Sequence, residues 1–232
     1  MLPRRLFAIC GLALTSLLFL PLSSCTNIPD SRSKMVVSVK DQTMVLTQDG
    51  QPVKAYKVST SKYGLGDIHR SCRTPLGKMQ VVRKIGGGAP SGAVFKSRRR
   101  TGEVIRPNAP GRDPIVTRIM WLKGLERCNR HAYERYIYIH GTPEERNIGR
   151  PVSYGCIRMT SSDVIDLYSR IGVGAQVEVV RGSLSSTREG REYAKAIDRQ
   201  REAQEAAVKG AADVPAKSEH ATVALEDDPD EA

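Results

Sequence analysis

Apolar and polar residues alternate with a period near two over much of the first half of the chain, the pattern of strands that turn one face to a core. It predicts strands at Met35–Val39, Thr43–Gln48 and Gln51–Ser59, with Asp49-Gly50 between the second and third. Both turn positions tolerate the positive φ of a type I′ turn, so this pair reads as a two-residue hairpin. Three short strands in succession indicate antiparallel structure rather than βαβ units. Residues 60–77 read as a loop rich in glycine and charge that closes on Thr74-Pro75-Leu76-Gly77. There the proline fixes φ and the glycine permits a turn, so this element is expected to keep a fixed shape. Lys78–Ile85 reads as a further strand, ended by Gly86-Gly87-Gly88. That glycine run lacks a Walker lysine and a following helix, which argues against a phosphate cradle.

Further on, residues 89–113 contain Pro90, Pro107 and Pro110 and the basic run Lys96 to Arg100, and are expected to be irregular. The stretch is either a solvated insertion or a wall of a cleft that meets an anionic substrate. Ile115–Leu122 reads as a strand carrying Trp121, a core residue by this pattern. Arg135–His140 is the clearest strand. Ile137 and Ile139 share one of its faces, while Tyr136, Tyr138 and His140 share the other. Thr160-Ser161-Ser162-Asp163 offers N-cap candidates for a helix to about Ile171, with Val164, Leu167, Tyr168 and Ile171 at helical spacing. Gly172 and Gly174 stop it, and Ala175–Val180 is the last strand. Ser185 to about Gly210 has almost no apolar stripe and reads as a solvated helix; the remainder to Ala232 is expected to be disordered.

Composition changes this picture mainly at the ends. In 232 residues with 40% hydrophobic and 26% charged content there is room for one domain with a core and extra terminal segments. Arg4 and Arg5, then Leu6 to Leu20, then Leu22-Ser23-Ser24-Cys25 form the basic, apolar and small-residue regions of an export signal. The apolar run is too short for a membrane span. Leu-Ser-Ser-Cys resembles the lipobox of bacterial lipoproteins, which implies lipidation of Cys25; an ordinary cleaved signal is the alternative. Thr26 in place of an aspartate implies the periplasmic face of an outer membrane. The expected organisation is thus signal 1–25, tether 26–33, a core domain at 34–181, and a charged helix with an acidic tail at 182–232. Cys72, Cys128 and Cys156 remain in the exported chain, and their spacing fits no Cys-x-x-Cys zinc site. The net charge is +11, although from Ala211 onward seven acids face Lys217 alone. A basic exported domain suits polyanionic cell-wall polymers or membrane surfaces, and export argues against nucleic acid.

The candidate chemistry lies between Arg135 and Met159. A cysteine acyl-transfer site needs a thiolate, a base, an orienter for that base and donors for the oxyanion. Cys156 follows Gly155, which allows a sharp turn, and the amides of Tyr154 to Cys156 are oxyanion candidates. His140 precedes Gly141 at a strand end, where a backbone carbonyl can steer the ring.

His140-Gly141-Thr142 followed by Ser153-Tyr154-Gly155-Cys156-Ile157-Arg158-Met159 resembles the catalytic signature of the L,D-transpeptidase (YkuD-type) family. The resemblance extends over about Lys34 to Arg181. It implies a mainly β fold, a mixed β-sandwich with one or two short helices, and a reaction without metal or organic cofactor. Cys156 would be the nucleophile, with a lowered thiol pKa, and His140 its base. Ser153, Tyr154 and Gly155 would form the oxyanion loop, and Arg158, with Gly141 and Thr142, would lie at the substrate or serve in a structural ion pair. The implied partners are peptidoglycan stem peptides, as acyl donor and amine acceptor, and the reaction is 3→3 cross-linking or attachment of a protein to the wall. Hydrolysis by water, as in an L,D-carboxypeptidase, is the first rival. Carbapenems acylate the family. One position departs from the pattern, because Tyr154 stands where the family usually has His, so the second rival is a catalytically retired wall-binding lipoprotein.

Overall fold

The computed structural model describes residues 28–212; the signal segment with Cys25, the start of the tether and the acidic tail lie outside the described residues. The opening strands are β1 (Ser33–Ser38), β2 (Thr43–Gln48) and β3 (Gln51–Lys57). β2 and β3 pair antiparallel through Asp49 and Gly50, at φ 49° and 76°, the two positive values that a type I′ turn requires. The middle of the chain supplies β4 (Gly77–Ile85), β5 (Ala93–Lys96), β6 (Arg99–Val104) and β7 (Ile115–Gly124). After them come β8 (Tyr138–Gly141), β9 (Ile157–Met159), helix α1 (Ser161–Arg170), β10 (Gln176–Val180) and helix α2 (Arg188–Ala212).

All ten strands belong to one mixed sheet, ordered β3-β2-β1-β10-β4-β7-β5-β6, with β8 and β9 branching from β7. The branch arises because β7 has three partners: along one side β4 takes Ile119–Gly124 and β5 takes Ile115 and Val116, while β8 pairs with Val116 and Ile119–Trp121 along the other. A bulge between Val116 and Ile119 makes room for this. Within it Thr117 has φ 72°, a strained value for a β-branched residue. Its hydroxyl offsets that cost by accepting the Gly92 amide at 2.9 Å and donating to Ser161 Oγ at 2.9 Å. At the other end, Ser59 and Arg158 exchange backbone hydrogen bonds of 2.9 Å, so the segment after β3 meets β9 and the sheet curls back on itself. Met35, Leu46, Tyr56, Met79, Leu122, Ile139 and Ile157 can therefore share one core with Val164 and Leu167 of α1.

Three expectations need correction. Residues 89–113 are not irregular throughout, because β5 and β6 form a hairpin inside them. Its two-residue turn is Ser97-Arg98, at φ 47° and 65°; a type I′ turn without Gly, Asn or Asp leaves no composition signal. The strand expected at 135–140 starts only at Tyr138, since Tyr136 turns the chain at φ 58° and Arg135 sends its side chain into another loop. β9 was not anticipated at all; three residues are too few to display a period.

The helix after the cysteine is as expected. Thr160 caps it by accepting the Asp163 amide at 3.1 Å, and Val164, Leu167 and Ile171 face the core. Replacing fully buried Leu167 by Ala should lower the unfolding free energy by about 2–5 kcal/mol. Thr160→Ala should cost only about 1 kcal/mol. Urea denaturation of both variants checks this order, and equal losses would contradict the assigned packing.

Candidate active site

The site is built on the parallel pair β8–β9, in which Ile139 faces Ile157, His140 faces Arg158 and Gly141 faces Met159. Alternation along each strand sends Ile139 and Ile157 into the main core and His140 and Arg158 to the opposite face. One step upstream, the same register sets Tyr138 beside Cys156. The thiol, the imidazole and the guanidinium thus share one face, and His140 and Cys156 are diagonal neighbours, a relation that spans about 7–8 Å between backbones in a sheet.

His140 is only 5% exposed, and its Nδ1 lies 2.8 Å from the Gly141 carbonyl oxygen. That contact is a hydrogen bond in the tautomer with Nδ1 protonated, which leaves Nε2 as the basic nitrogen. Burial pushes the imidazole down to about 4, aided by the Arg158 charge, while the Gly141 bond works against the shift. Cys156 donates its thiol proton to the Tyr136 carbonyl at 3.4 Å. Burial pushes this thiol up to about 11, although the Tyr138 amide and the charges of Arg158 and Arg135 pull it down. Burial thus works against the lowered thiol pKa that the resemblance implies and favours a neutral thiol beside a neutral imidazole.

The turn before Cys156 is held from inside. Ser153 is fully buried; its hydroxyl donates to the Cys156 carbonyl at 2.6 Å and accepts the Gly155 amide at 3.2 Å. Gly155 sits at φ 117°, where a Cβ would lie 3.2 Å from the Arg73 carbonyl oxygen and 3.3 Å from Ile137 Cδ1. Thr74 ties the turn to the 60–77 loop: its hydroxyl donates to the Gly155 carbonyl and accepts the Ser61 amide, each at 3.0 Å. Tyr154 is 56% exposed. Its ring lies under the Lys62 ammonium at 4.7 Å and beside Tyr63 at 5.6 Å.

Of the other expected site residues, Arg158 forms a mostly buried ion pair with Asp113 at 2.5 Å. Thr142, also buried, donates to the same carboxylate at 2.5 Å. Gly141 is packed so closely that a Cβ would come within 2.8 Å of the Val116 carbonyl oxygen. These three residues brace the site from behind. Arg135, not singled out by sequence, is the hub of the 60–77 loop. It pairs with Asp67 at 2.8 Å, the two side chains being 2% and 6% exposed. It also donates to the carbonyls of Gly66, Ser71 and Arg73. Two hollows meet at Tyr136, whose carbonyl holds the thiol. One, of about 380 Å³, is walled by Phe95, Arg98, Ile115 and Tyr138; the other, of about 420 Å³, by His69, Cys72, Glu134 and Tyr154. Arg98 lies 5.0 Å above Trp121 and 4.9 Å from the Tyr136 ring, so the basic run of the β5–β6 hairpin does reach this cleft. Cys72 and Cys128 are free, exposed thiols.

The model of the L,D-transpeptidase catalytic domain, YkuD, matches residues 32–179. The chain belongs to the L,D-transpeptidase family. Among named relatives of this L,D-transpeptidase domain, "Putative L,D-transpeptidase YkuD" of Bacillus subtilis is 26% identical over 148 residues, covering 63% of this chain and 65% of that protein. A Fuscovulum blasticum protein named "Putative L,D-transpeptidase in ATP synthase subunits region ORF 5" is 33% identical over 108 residues, 46% of this chain and 51% of that protein. The matches thus span between about half and two thirds of these relatives. Among solved structures, an L,D-transpeptidase from Mycobacterium smegmatis aligns with a TM-score of 0.43 at 16% identity, covering 64% of this chain and 58% of that one. L,D-transpeptidase 3 from Mycobacterium tuberculosis, in complex with a faropenem-derived adduct, aligns with 0.42 at 19%, covering 64% and 60%.

Two outcomes follow from this geometry. Because only thiolate is alkylated, iodoacetamide modification of Cys156, followed on its own peptide by mass spectrometry, should be slow at neutral pH and rise about tenfold per pH unit towards about 11. A plateau reached near pH 7 would indicate a preformed thiolate. For His140, a folded pKa of about 4 against an ordinary 6.5 means that the unfolded chain takes up the proton first. Stability should then fall as pH drops from about 6.5 towards 4, and His140→Asn should flatten that part of the urea-midpoint profile.

Proposed function

We propose that the protein is a cysteine acyltransferase of peptidoglycan stem peptides that forms 3→3 cross-links. The observation that carries this reading is the placement of Cys156 and His140 on one face of β8–β9, with His140 Nδ1 directed at the Gly141 carbonyl and Nε2 left as the base. Membership of the L,D-transpeptidase family supports it.

In this reading the carbonyl of the third, diamino acid residue of a stem comes to rest over the thiol. Cys156 Sγ attacks its carbon while the S–H proton passes to His140 Nε2. The resting pair being neutral, proton transfer accompanies attack and does not precede it. Gly155 has its amide engaged by Ser153, so the amides of Tyr154 and Cys156 are the donors we assign to the oxyanion. Collapse breaks the C–N bond, and the imidazolium returns its proton to the amine of the departing D-Ala, leaving a thioester on Cys156. An amine of a second stem then attacks the thioester, loses its proton to His140, and regenerates the thiol. The two hollows that meet at Tyr136 offer separate approaches for donor and acceptor. Arg98, half-buried in the wall of one, suits a carboxylate of the stem.

Tyr154 fits this scheme as a wall residue. Its hydroxyl is 3.4 Å from Lys62 Nζ, and its ring packs against Lys62, Tyr63 and, at 5.8 Å, the Arg158 guanidinium. A proton relay is not asked of it, since His140 supplies the base. We further propose export and anchoring in the cell envelope by lipid on Cys25, with residues 34–181 as the catalytic unit.

Incubation of the purified protein with muropeptides should give 3→3 dimers that Cys156→Ala cannot form; tripeptide monomers alone would replace the transferase by a hydrolase. Imipenem, a carbapenem, should add covalently to Cys156, seen as an intact-mass increase. Absence of an adduct on the wild type, with reaction restored in Tyr154→His, would mark a retired enzyme. Gly155→Ala should slow acylation by a factor of at least about 100, as a Cβ at that φ displaces the nucleophile's turn.

A further inference from the structure

Beside the cleft, two imidazoles and a carboxylate from distant parts of the chain come together. We propose that His69, His131 and Glu134 form a binding site for a divalent transition metal of the zinc type, which fastens the 60–77 loop to the turn between β7 and β8. The inference concerns residues outside the acyl-transfer machinery and stands independently of the proposed reaction.

Their ligand atoms all lie within 4.8 Å of one another. His131 Nδ1 is 3.6 Å from Glu134 Oε2, and the His69 and His131 rings meet edge to face with centroids 6.1 Å apart. Donors around one tetrahedral ion at about 2.0–2.2 Å stand roughly 3.3 Å from each other. The set therefore has to close by about an ångström or more, which rotation of the exposed His69 and Glu134 side chains can supply. Two imidazoles with one carboxylate are a donor set that zinc takes with three protein ligands, the remaining position going to water.

The backbone that presents these ligands is already fixed at one point. Asp67 accepts the His131 amide on Oδ2 at 2.7 Å and the Arg135 guanidinium on Oδ1 at 2.8 Å. Arg135 in turn bonds the carbonyls of Gly66 and Ser71, on either side of His69. The loop and the turn thus hold their relative position before any ion arrives, and an ion would lose little free energy in ordering them. A third ligand from i+3 of His131 adds to this, because Glu134 lies on the same short turn.

Local charge selects the kind of ion. Arg130 Nε donates to His131 Nε2 at 3.0 Å, and Arg127 lines the adjoining hollow with Asp67 and Cys128. Binding at His131 Nδ1 moves the imidazole proton to Nε2, so the exposed Arg130 side chain has to swing outward. Basic neighbours and a single carboxylate disfavour calcium and magnesium, which are held by several oxygens. Imidazole ligands favour zinc, nickel or copper. His69 and Glu134 also line the hollow shared with Tyr136 and Tyr154, so an ion here would bridge the rim of the cleft.

The test uses the chain carrying Cys72→Ser, Cys128→Ser and Cys156→Ala, which removes the thiols of the cleft and of the adjoining hollow as competing ligands, in the presence of a non-chelating reductant. Titration calorimetry with zinc chloride should give one bound ion, and zinc should raise the thermal midpoint. His69→Ala, His131→Ala and Glu134→Gln, each in that background, should leave the metal-free midpoint unchanged. Either His variant should weaken zinc binding at least tenfold and lose the midpoint shift, with Glu134→Gln intermediate; magnesium chloride should give no heat of binding. No zinc binding by the parent, or undiminished binding by both His variants, would overturn the site. So would equal binding of magnesium.

Discussion

The register of one short parallel pair governs this protein. β8 has four residues and β9 three, yet their alignment alone decides that His140, Cys156 and Arg158 share a face. A slip of one residue in β9 would turn the thiol towards the core and bring Ile157 to the cleft. A strand so short cannot fix its own register, and the surroundings fix it. β9 lies between β8 and Ser59, which exchanges two backbone hydrogen bonds with Arg158. Upstream, Ser153 closes the turn on itself and Thr74 ties it to a separate loop. Closure of the sheet is thereby also the means by which the Cys156 thiol is aimed.

The electrostatics of the site follow from how its cations are occupied. Two guanidinium groups lie close enough to lower the Cys156 thiol pKa, and burial nevertheless prevails. Arg158 is paired with Asp113 and Arg135 with Asp67, so each presents the thiol with a near-neutral pair and not a bare charge. Removing either carboxylate would free a cation beside the cysteine, at the cost of leaving a buried charge uncompensated. Desolvation, and not the neighbouring cations, therefore sets the direction in which the thiol is shifted.

Much of the scaffold was readable in the sequence, because β1, β2, β3, β4, β7 and α1 carry either a clear period or a recognisable cap. The cysteine and histidine were readable for a different reason: they sit in a compact local grammar, His140-Gly141-Thr142 and Ser153-Tyr154-Gly155-Cys156. What escaped was set by distance. Asp113 meets Arg158 and Thr142 only in three dimensions, and Arg135 looked like the first residue of a strand when it is the anchor of residues 66–73. The imidazoles of His69 and His131 had no spacing to betray them. The β5–β6 hairpin was hidden by chemistry, since Ser97-Arg98 performs a turn normally marked by glycine or asparagine.

A sheet that branches keeps a loose end, and here that end is β6. Every residue of this strand is exposed, and it begins with Arg99 and Arg100 and includes Glu103. Its outer row of amides and carbonyls is the kind of template on which a foreign strand can grow. The charges and the tight turn that leads into β6 make it a poor one. β3, at the opposite end of the sheet path, is instead screened by contacts with α2. One border is shielded by a helix and the other by charged side chains, so neither rim of the sheet offers a bare, apolar edge to a strand from another chain.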